Sequence, residues 1–242
     1  MENKTVILGY HQIFNSTLPA TKYAVSKDLF RKQLLYLRSN NFSGLSLSDV
    51  FTHLQAKKDF EKKNVVLTFD DGLSSHFDLA YPMLMEVGFT GSFFIIVSFV
   101  GRKGYMSWSQ LRQMLDSGME IGSHGLSHNL LNIMTAKQIE EELSSSKRIL
   151  EDGLGKEINI LSVPRGQYNR KIKMIAAALG YKVICSSDPC YIDRYSSPFA
   201  LGRFFIESRD SFKDFHDVLS GSFLAGIKIN FRVAFFRLLR CM

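Results

Sequence analysis

The sequence has little of several features that mark whole protein classes. Three cysteines, Cys185, Cys190 and Cys241, are an odd number with none of the paired spacings of a thiolate zinc site. That argues against a disulfide scaffold and suits ordinary thiols in a reducing compartment. Five prolines and 17 glycines, beside 12% aromatics, are a poor match to collagenous, low-complexity or disordered chains. The most apolar stretch, Phe93–Val100, is far shorter than the ~20 residues of a membrane-spanning helix and reads as a buried strand. Met-Glu-Asn-Lys followed by the short run Val6–Leu8 lacks the long apolar region of a secretory signal, so a soluble, cytoplasmic protein is expected. Acidic residues are the minority charge, 23 against 30 basic, and the resulting +7 favours anionic partners without naming one. No helix-turn-helix or aromatic platform accompanies that charge, so no nucleic-acid partner is expected.

What is present is an alternation of short apolar runs with helical patterns, 45% apolar over 242 residues and without a long linker, which predicts one α/β domain. Strands are expected at Val6–Tyr10, Val65–Phe69, Ser92–Val97, Met119–Gly122, Ile158–Val163, Tyr181–Cys185 and Arg203–Ile206, continuous enough for a parallel sheet. Helices are expected at Leu29–Leu37, at Ala136–Leu150 behind a Thr135/Gln138 capping box, after Asn169 up to Gly180, and at Ser211–Leu219. This is the rhythm of a distorted, TIM-like (β/α) barrel of about seven parallel strands, whose chemistry sits at the C-terminal ends of the strands.

Asp70 and Asp71 directly follow Val65–Phe69 and precede Gly72. The string is the composition of a solvated turn. It is also a pair of mutually repelling carboxylates at a strand mouth, most easily kept by a bound cation or a shared proton. His124 and His128 follow Met119–Gly122 with a four-residue spacing that, on a helical turn, puts both rings on one face. A pair of surface or capping histidines has the same spacing. In a parallel barrel these residues share one rim with His11, after Val6–Tyr10, and with Pro164-Arg165-Gly166. One carboxylate with two imidazoles leaves a position open for water, the pattern of a hydrolytic metal site, and the second carboxylate is free to act as base.

Gly9-Tyr10-His11, Leu47-Ser48, Thr68-Phe69-Asp70-Asp71-Gly72, Gly91-Ser92-Phe93-Phe94-Ile95, Met106-Ser107-Trp108, Glu120-Ile121-Gly122-Ser123-His124 with His128, and Pro164-Arg165-Gly166 together resemble the polysaccharide deacetylases, carbohydrate esterase family 4. The resemblance covers nearly the whole chain. It implies a divalent metal, often zinc, bound by Asp71, His124 and His128, with Asp70 as general base. The implied substrate is an acetylated glycan, and the products are acetate and a free amine or hydroxyl.

Four departures bear on mechanism. Gly125 stands where the family commonly has Ser or Thr, which implies the loss of a hydrogen bond that steadies the metal loop. Ser162 stands where an arginine usually partners the base, and Arg203 is a candidate to supply that charge, against a plain surface cation. Arg165 replaces an aromatic at a position where a backbone amide helps hold the oxyanion, a role that tolerates many side chains. The family's late Leu-x-His acid is missing. After His128 the only histidine is His216, read as a surface residue, so His11 becomes the acid candidate by position, with a substrate-contacting role as its alternative. Trp108 is read as a core or staple aromatic in preference to a sugar-stacking wall.

The expected function is removal of acetyl groups from N-acetylated sugars in free, polymeric or lipid-linked form. An O-acetyl esterase and a non-catalytic glycan-binding relative are the alternatives, the latter disfavoured by the intact Asp70, Asp71, His124 and His128. Ile227, Phe231, Ala234, Phe235 and Leu238 share one helical face, with Lys228, Arg232, Arg237 and Arg240 opposite. That segment, around 225–240, is either a helix packed on the barrel or a peripheral contact with an anionic inner-membrane face, where a lipid-linked amino sugar would be the substrate.

Overall fold

A computed structural model describes residues 4–15, 21–60 and 63–222. The basic C-terminal segment and Cys241 lie outside the described residues. The elements in chain order are β1 (Thr5–Tyr10), β2 (Gln12–Phe14), β3 (Ala24–Ser26), α1 (Lys27–Ser39), β4 (Ser43–Leu45), α2 (Leu47–Gln55), β5 (Asn64–Phe69), α3 (Tyr81–Val87), β6 (Ser92–Ile95), α4 (Trp108–Asp116), β7 (Glu120–Ser123), α5 (Ala136–Leu154), β8 (Ile160–Ser162), α6 (Arg170–Ala178), β9 (Val183–Cys185), β10 (Phe204–Phe205) and α7 (Phe212–Ser220).

The main sheet runs β10-β1-β5-β6-β7-β8-β9 with every pairing parallel, and it curls into a half-barrel. All seven expected strands lie in it. Two features fall outside that expectation: β4, which pairs with the first half of β5, and a small sheet of β2 and β3. Phe93–Val100 is strand only to Ile95, after which Val97–Phe99 turns as a short 3₁₀ segment.

Helix ends follow local chemistry. Ser46, Ser107, Thr135 and Ser211 each close a capping box with the residue three positions on. Gly155 and Gly221 end α5 and α7 in the left-handed conformation. Trp108 opens α4 and packs on α5 at Gly153, the core role expected of it. No described helix is long and apolar enough to cross a membrane.

Strand alternation builds two cores. Val6, Leu8, Tyr10, Leu67, Phe69 and Phe93 pack outward against the helices, where Tyr10, Phe69 and Phe93 stack in sequence with ring centroids 5.4 and 4.6 Å apart. Ile7, Val66, Phe94, Ile160, Val183 and Leu201 pack together inside the curl, with Leu47, Val50 and Leu54 of α2 closing its lower end. There Glu120, at the start of β7, accepts from the Leu47 N–H at 3.0 Å, the Ser48 N–H at 3.1 Å and the Ser92 hydroxyl at 2.6 Å. The carboxylate thus satisfies the free donors of the α2 N-terminus. That geometry serves stability, since the N-terminal rim of such barrels carries no chemistry.

The same two-residue period sets up the opposite rim. Continuing the inward-facing series Ile7–Gly9, Val66–Thr68 and Ile160 upward gives His11, Asp70 and Ser162. His124 lies two residues beyond Gly122, whose added Cβ would strike Ile160 and Phe94 inside the curl. Polar side chains therefore converge above an apolar plug.

Candidate active site

Asp70 directly follows β5 with its N–H bonded to the Tyr10 carbonyl at 2.9 Å, and it is 3% exposed. Arg203 grips it with two parallel bonds, Nη1 to Oδ1 at 2.7 Å and Nη2 to Oδ2 at 2.9 Å. The guanidinium is 1% exposed. Its remaining donors reach the Ser162 hydroxyl at 2.8 Å, the Thr68 hydroxyl at 3.3 Å and the Ser186 carbonyl at 3.1 Å. Phe205 and Phe94 flank it, with ring centroids 4.7 and 5.4 Å away. Arg203 is therefore a buried partner of Asp70 and not a surface cation, and the small Ser162 leaves room for it. Burial would raise the Asp70 carboxyl, but the charges of Arg203 and His124 and the Arg203 hydrogen bonds outweigh it and hold it well below the usual carboxylate range.

Asp71 turns the chain at φ 80, a left-handed conformation that Asp tolerates better than most residues, and Gly72 follows at φ 72. The turn is tied down by the Met106 N–H to the Gly72 carbonyl at 3.0 Å and the Ser74 N–H to the Gly104 carbonyl at 2.9 Å. Asp71 Oδ1 is buried without a hydrogen-bond partner. Burial, and then the charge of Asp70, pushes its pKa up to about 7.

Around that orphaned oxygen stand the two histidines. His124 Nε2 and His128 Nε2 each lie 3.6 Å from Asp71 Oδ1, and the three ligand atoms are all within 4.8 Å of one another. Tetrahedral ligands on bonds of about 2.0–2.2 Å stand roughly 3.3–3.5 Å apart, so the two Asp71–histidine distances are close to those around one zinc-sized ion. The His124 Nδ1 faces the Ser162 carbonyl at 2.8 Å, which assigns its proton there and leaves the Nε2 lone pair facing Asp71. Burial lowers both imidazoles, His124 to about 4, which keeps them in the neutral, ligand form at neutral pH.

The helical turn expected between the two histidines is absent. Gly125 at φ 80 and His128 at φ 62 are both left-handed, and the rings meet across a loop, centroids 4.9 Å apart. Arg165 also sits at a positive φ, 55, in the turn Pro164–Gly166, its side chain exposed and its charge felt at His128. His11 shares the rim. Its ring stacks on Tyr23 at 4.7 Å and lies tilted against Phe205 at 5.1 Å, its Nδ1 is buried without a partner, and burial lowers its pKa against the pull of Asp70. His216 stays on α7 against the Tyr36 ring, about half exposed, as the surface reading expects.

Sequence reasoning passed over His76. It is fully buried, and its Nε2 contacts the His11 main-chain carbonyl, fixing the backbone under that ring. It lies on a wide helical turn, His76–Ala80, that no local signal announces. Thr68, Ser162 and Ser186 were missed as partners of Arg203 for the same reason: their roles exist only across strands.

The polysaccharide deacetylase family model matches residues 57–184, which carry Asp70, Asp71, His124 and His128. The chain belongs to the polysaccharide deacetylase family. It is 29% identical over 200 residues to the Bacillus subtilis family member YxkH, covering 83% of this chain and 70% of that one. It is 26% identical over 239 residues to the poly-β-1,6-N-acetyl-D-glucosamine N-deacetylase of Staphylococcus aureus, covering 88% of this chain and 81% of that one. Among solved structures, the Streptococcus pyogenes deacetylase PplD in complex with acetate superposes with a TM-score of 0.84 at 25% identity, over 90% of this chain and 99% of that one. The half-barrel and the deacetylase family are thus established together.

Proposed function

We propose that this family member is a metal-dependent hydrolase that removes acetyl groups from N-acetylated amino sugars of a glycan or a lipid-linked saccharide. The observation that carries the reading is the juxtaposition of two carboxylates with different partners: Asp71 facing two neutral imidazoles, Asp70 locked to Arg203. Asp71, His124 and His128 would hold a divalent ion, zinc by its ligand set, and that ion would supply Lewis-acid polarisation of the acetyl oxygen.

Asp70 then takes a proton from the attacking water. Arg203 keeps it ionised at any working pH and fixes its orientation. The Arg165 main-chain N–H, on a turn where Arg165 and Gly166 are both left-handed, would serve as the oxyanion donor. His11 is the candidate proton donor to the leaving amine. Its lowered pKa makes the protonated form a stronger acid than an ordinary imidazolium and a scarcer one at neutral pH. Tyr23, stacked on His11, supplies an aromatic surface beside it.

The low His11 pKa also favours a second reading, an O-acetyl esterase, because an alcohol leaving group needs less help from an acid than an amine does. Incubating the protein with a panel of acetylated glycans, including a lipid-linked amino sugar and matched amide and ester acetyl sugars, and measuring acetate separates the two. Faster release from the amides is the expected outcome. Release from the esters alone would establish the esterase reading, and acetate from no member would contradict both.

A further inference from the structure

Glu142 is the one carboxylate on the buried face of α5, where Ser146 is the other polar residue. It lies among Ile139, Leu143 and Leu150 on the inner side of α5 and is 8% exposed. A buried carboxylate is retained where its lone pairs are filled. Here one residue fills them: the Ser127 N–H donates to Oε1 at 2.6 Å, and the Ser127 hydroxyl lies 2.8 Å from Oε1 and 3.0 Å from Oε2. Asn129 Nδ2 in turn donates to the Ser127 hydroxyl at 2.6 Å.

Ser127 immediately precedes His128, whose left-handed backbone persists only where its surroundings over-determine it. The start of the loop is pinned from the other side, by the Val97 N–H to the Gly125 carbonyl at 3.2 Å and the Ser98 N–H to the Leu126 carbonyl at 2.9 Å. Gly125 itself gives Glu142 its place. Besides its φ of 80, a Cβ there would come within 3.3 Å of Glu142 Oε1, so a side chain would press on the carboxylate.

We propose that Glu142, acting through Ser127, is a positioning residue for the metal site: it holds the loop so that the His128 ring faces Asp71 and His124. It touches neither ion nor substrate. The inference rests on the metal-site reading, and it supplies from α5 the support that a side chain at position 125 does not provide.

The test is zinc affinity of the purified full chain, measured by competition with a chromophoric chelator, for wild type, Glu142→Ala, Glu142→Gln and Ser127→Ala, with melting curves of the metal-free proteins. Glu142→Ala should bind zinc about 10–100-fold more weakly, the range expected when a ligand loses its support. Glu142→Gln should recover most of that loss, because its amide oxygen still accepts from the Ser127 N–H and its NH₂ donates to the hydroxyl. A merely structural carboxylate would lower the melting temperature and leave the affinity of the folded protein unchanged. A folded Glu142→Ala protein with wild-type affinity overturns the proposal. Should that variant fail to fold, Ser127→Ala decides: weaker binding supports the proposal, and wild-type binding overturns it. A wild-type chain that takes up no zinc contradicts the metal reading and this inference with it, whereas uptake unchanged by the variants contradicts this inference alone.

Discussion

Asp70→Asn should bind zinc as the wild type does and lose turnover by roughly 10²–10⁴, the usual contribution of a general base, with KM little changed. The side chain is free of the three-atom ligand set, so the ion keeps its donors. The amide cannot accept a proton from water, and this is the step lost. Asn also breaks the bidentate pair, since its NH₂ faces an Arg203 donor, so a lower melting temperature is expected alongside. Comparing kcat at saturating substrate with zinc content on the same sample separates lost chemistry from lost ion or lost fold. Near wild-type kcat in the Asn protein would remove Asp70 from the base role.

Arg203→Met should have the largest effect on stability. Both partners are buried, and removing one leaves a charge without compensation, a loss of about 3–5 kcal/mol. The pH dependence has a definite sign. In the wild type, Asp70 has a folded-state pKa below its unfolded value of about 3.9, so its contribution is fully present above that pH and fades as pH falls toward the folded value. Without Arg203 burial dominates and raises the Asp70 pKa, so the variant loses stability as pH rises through the carboxylate range. The gap in melting temperature between the two proteins should therefore widen from pH 3 toward pH 7. The acid limb of kcat/KM should move upward, because Asp70 must now be deprotonated against burial. A gap that stays constant with pH would show that Arg203 does not hold the charge of Asp70.

Much of this was legible along the chain because it depends on period and proximity. Buried strands such as Thr5–Tyr10 and Asn64–Phe69 are continuous apolar runs, and the residues just past their ends are the site. β4 escaped notice because Ser43-Gly44-Leu45 has neither an apolar run nor alternation, and its pairing with β5 is what makes it a strand. α2 had a readable start in Ser46 and Asp49, but its apolar face turns toward the inside of the curl and not toward the sheet's outer core.

At the site, the ligand types followed from residue chemistry, while the route to their geometry did not. Four-residue spacing suggested a helix, and the left-handed Gly125 and His128 bring the rings together another way. Arg203 lies 133 residues from Asp70, and only the curl of the sheet decides between an ion pair and a surface charge. Glu142 looks in sequence like any acidic residue of an amphipathic helix, and its burial is a property of the loop it meets.

The central claim is that acetyl removal depends on an ion held by Asp71, His124 and His128. Acetate release by chelator-stripped protein, titrated with zinc on a glycan from the panel that the native protein deacetylates, tests it most directly. The account predicts negligible release from the stripped chain, recovery that levels off at one zinc per chain, and no recovery in His128→Ala at the same zinc concentration. Full acetate release by stripped protein with no detectable bound metal would contradict it.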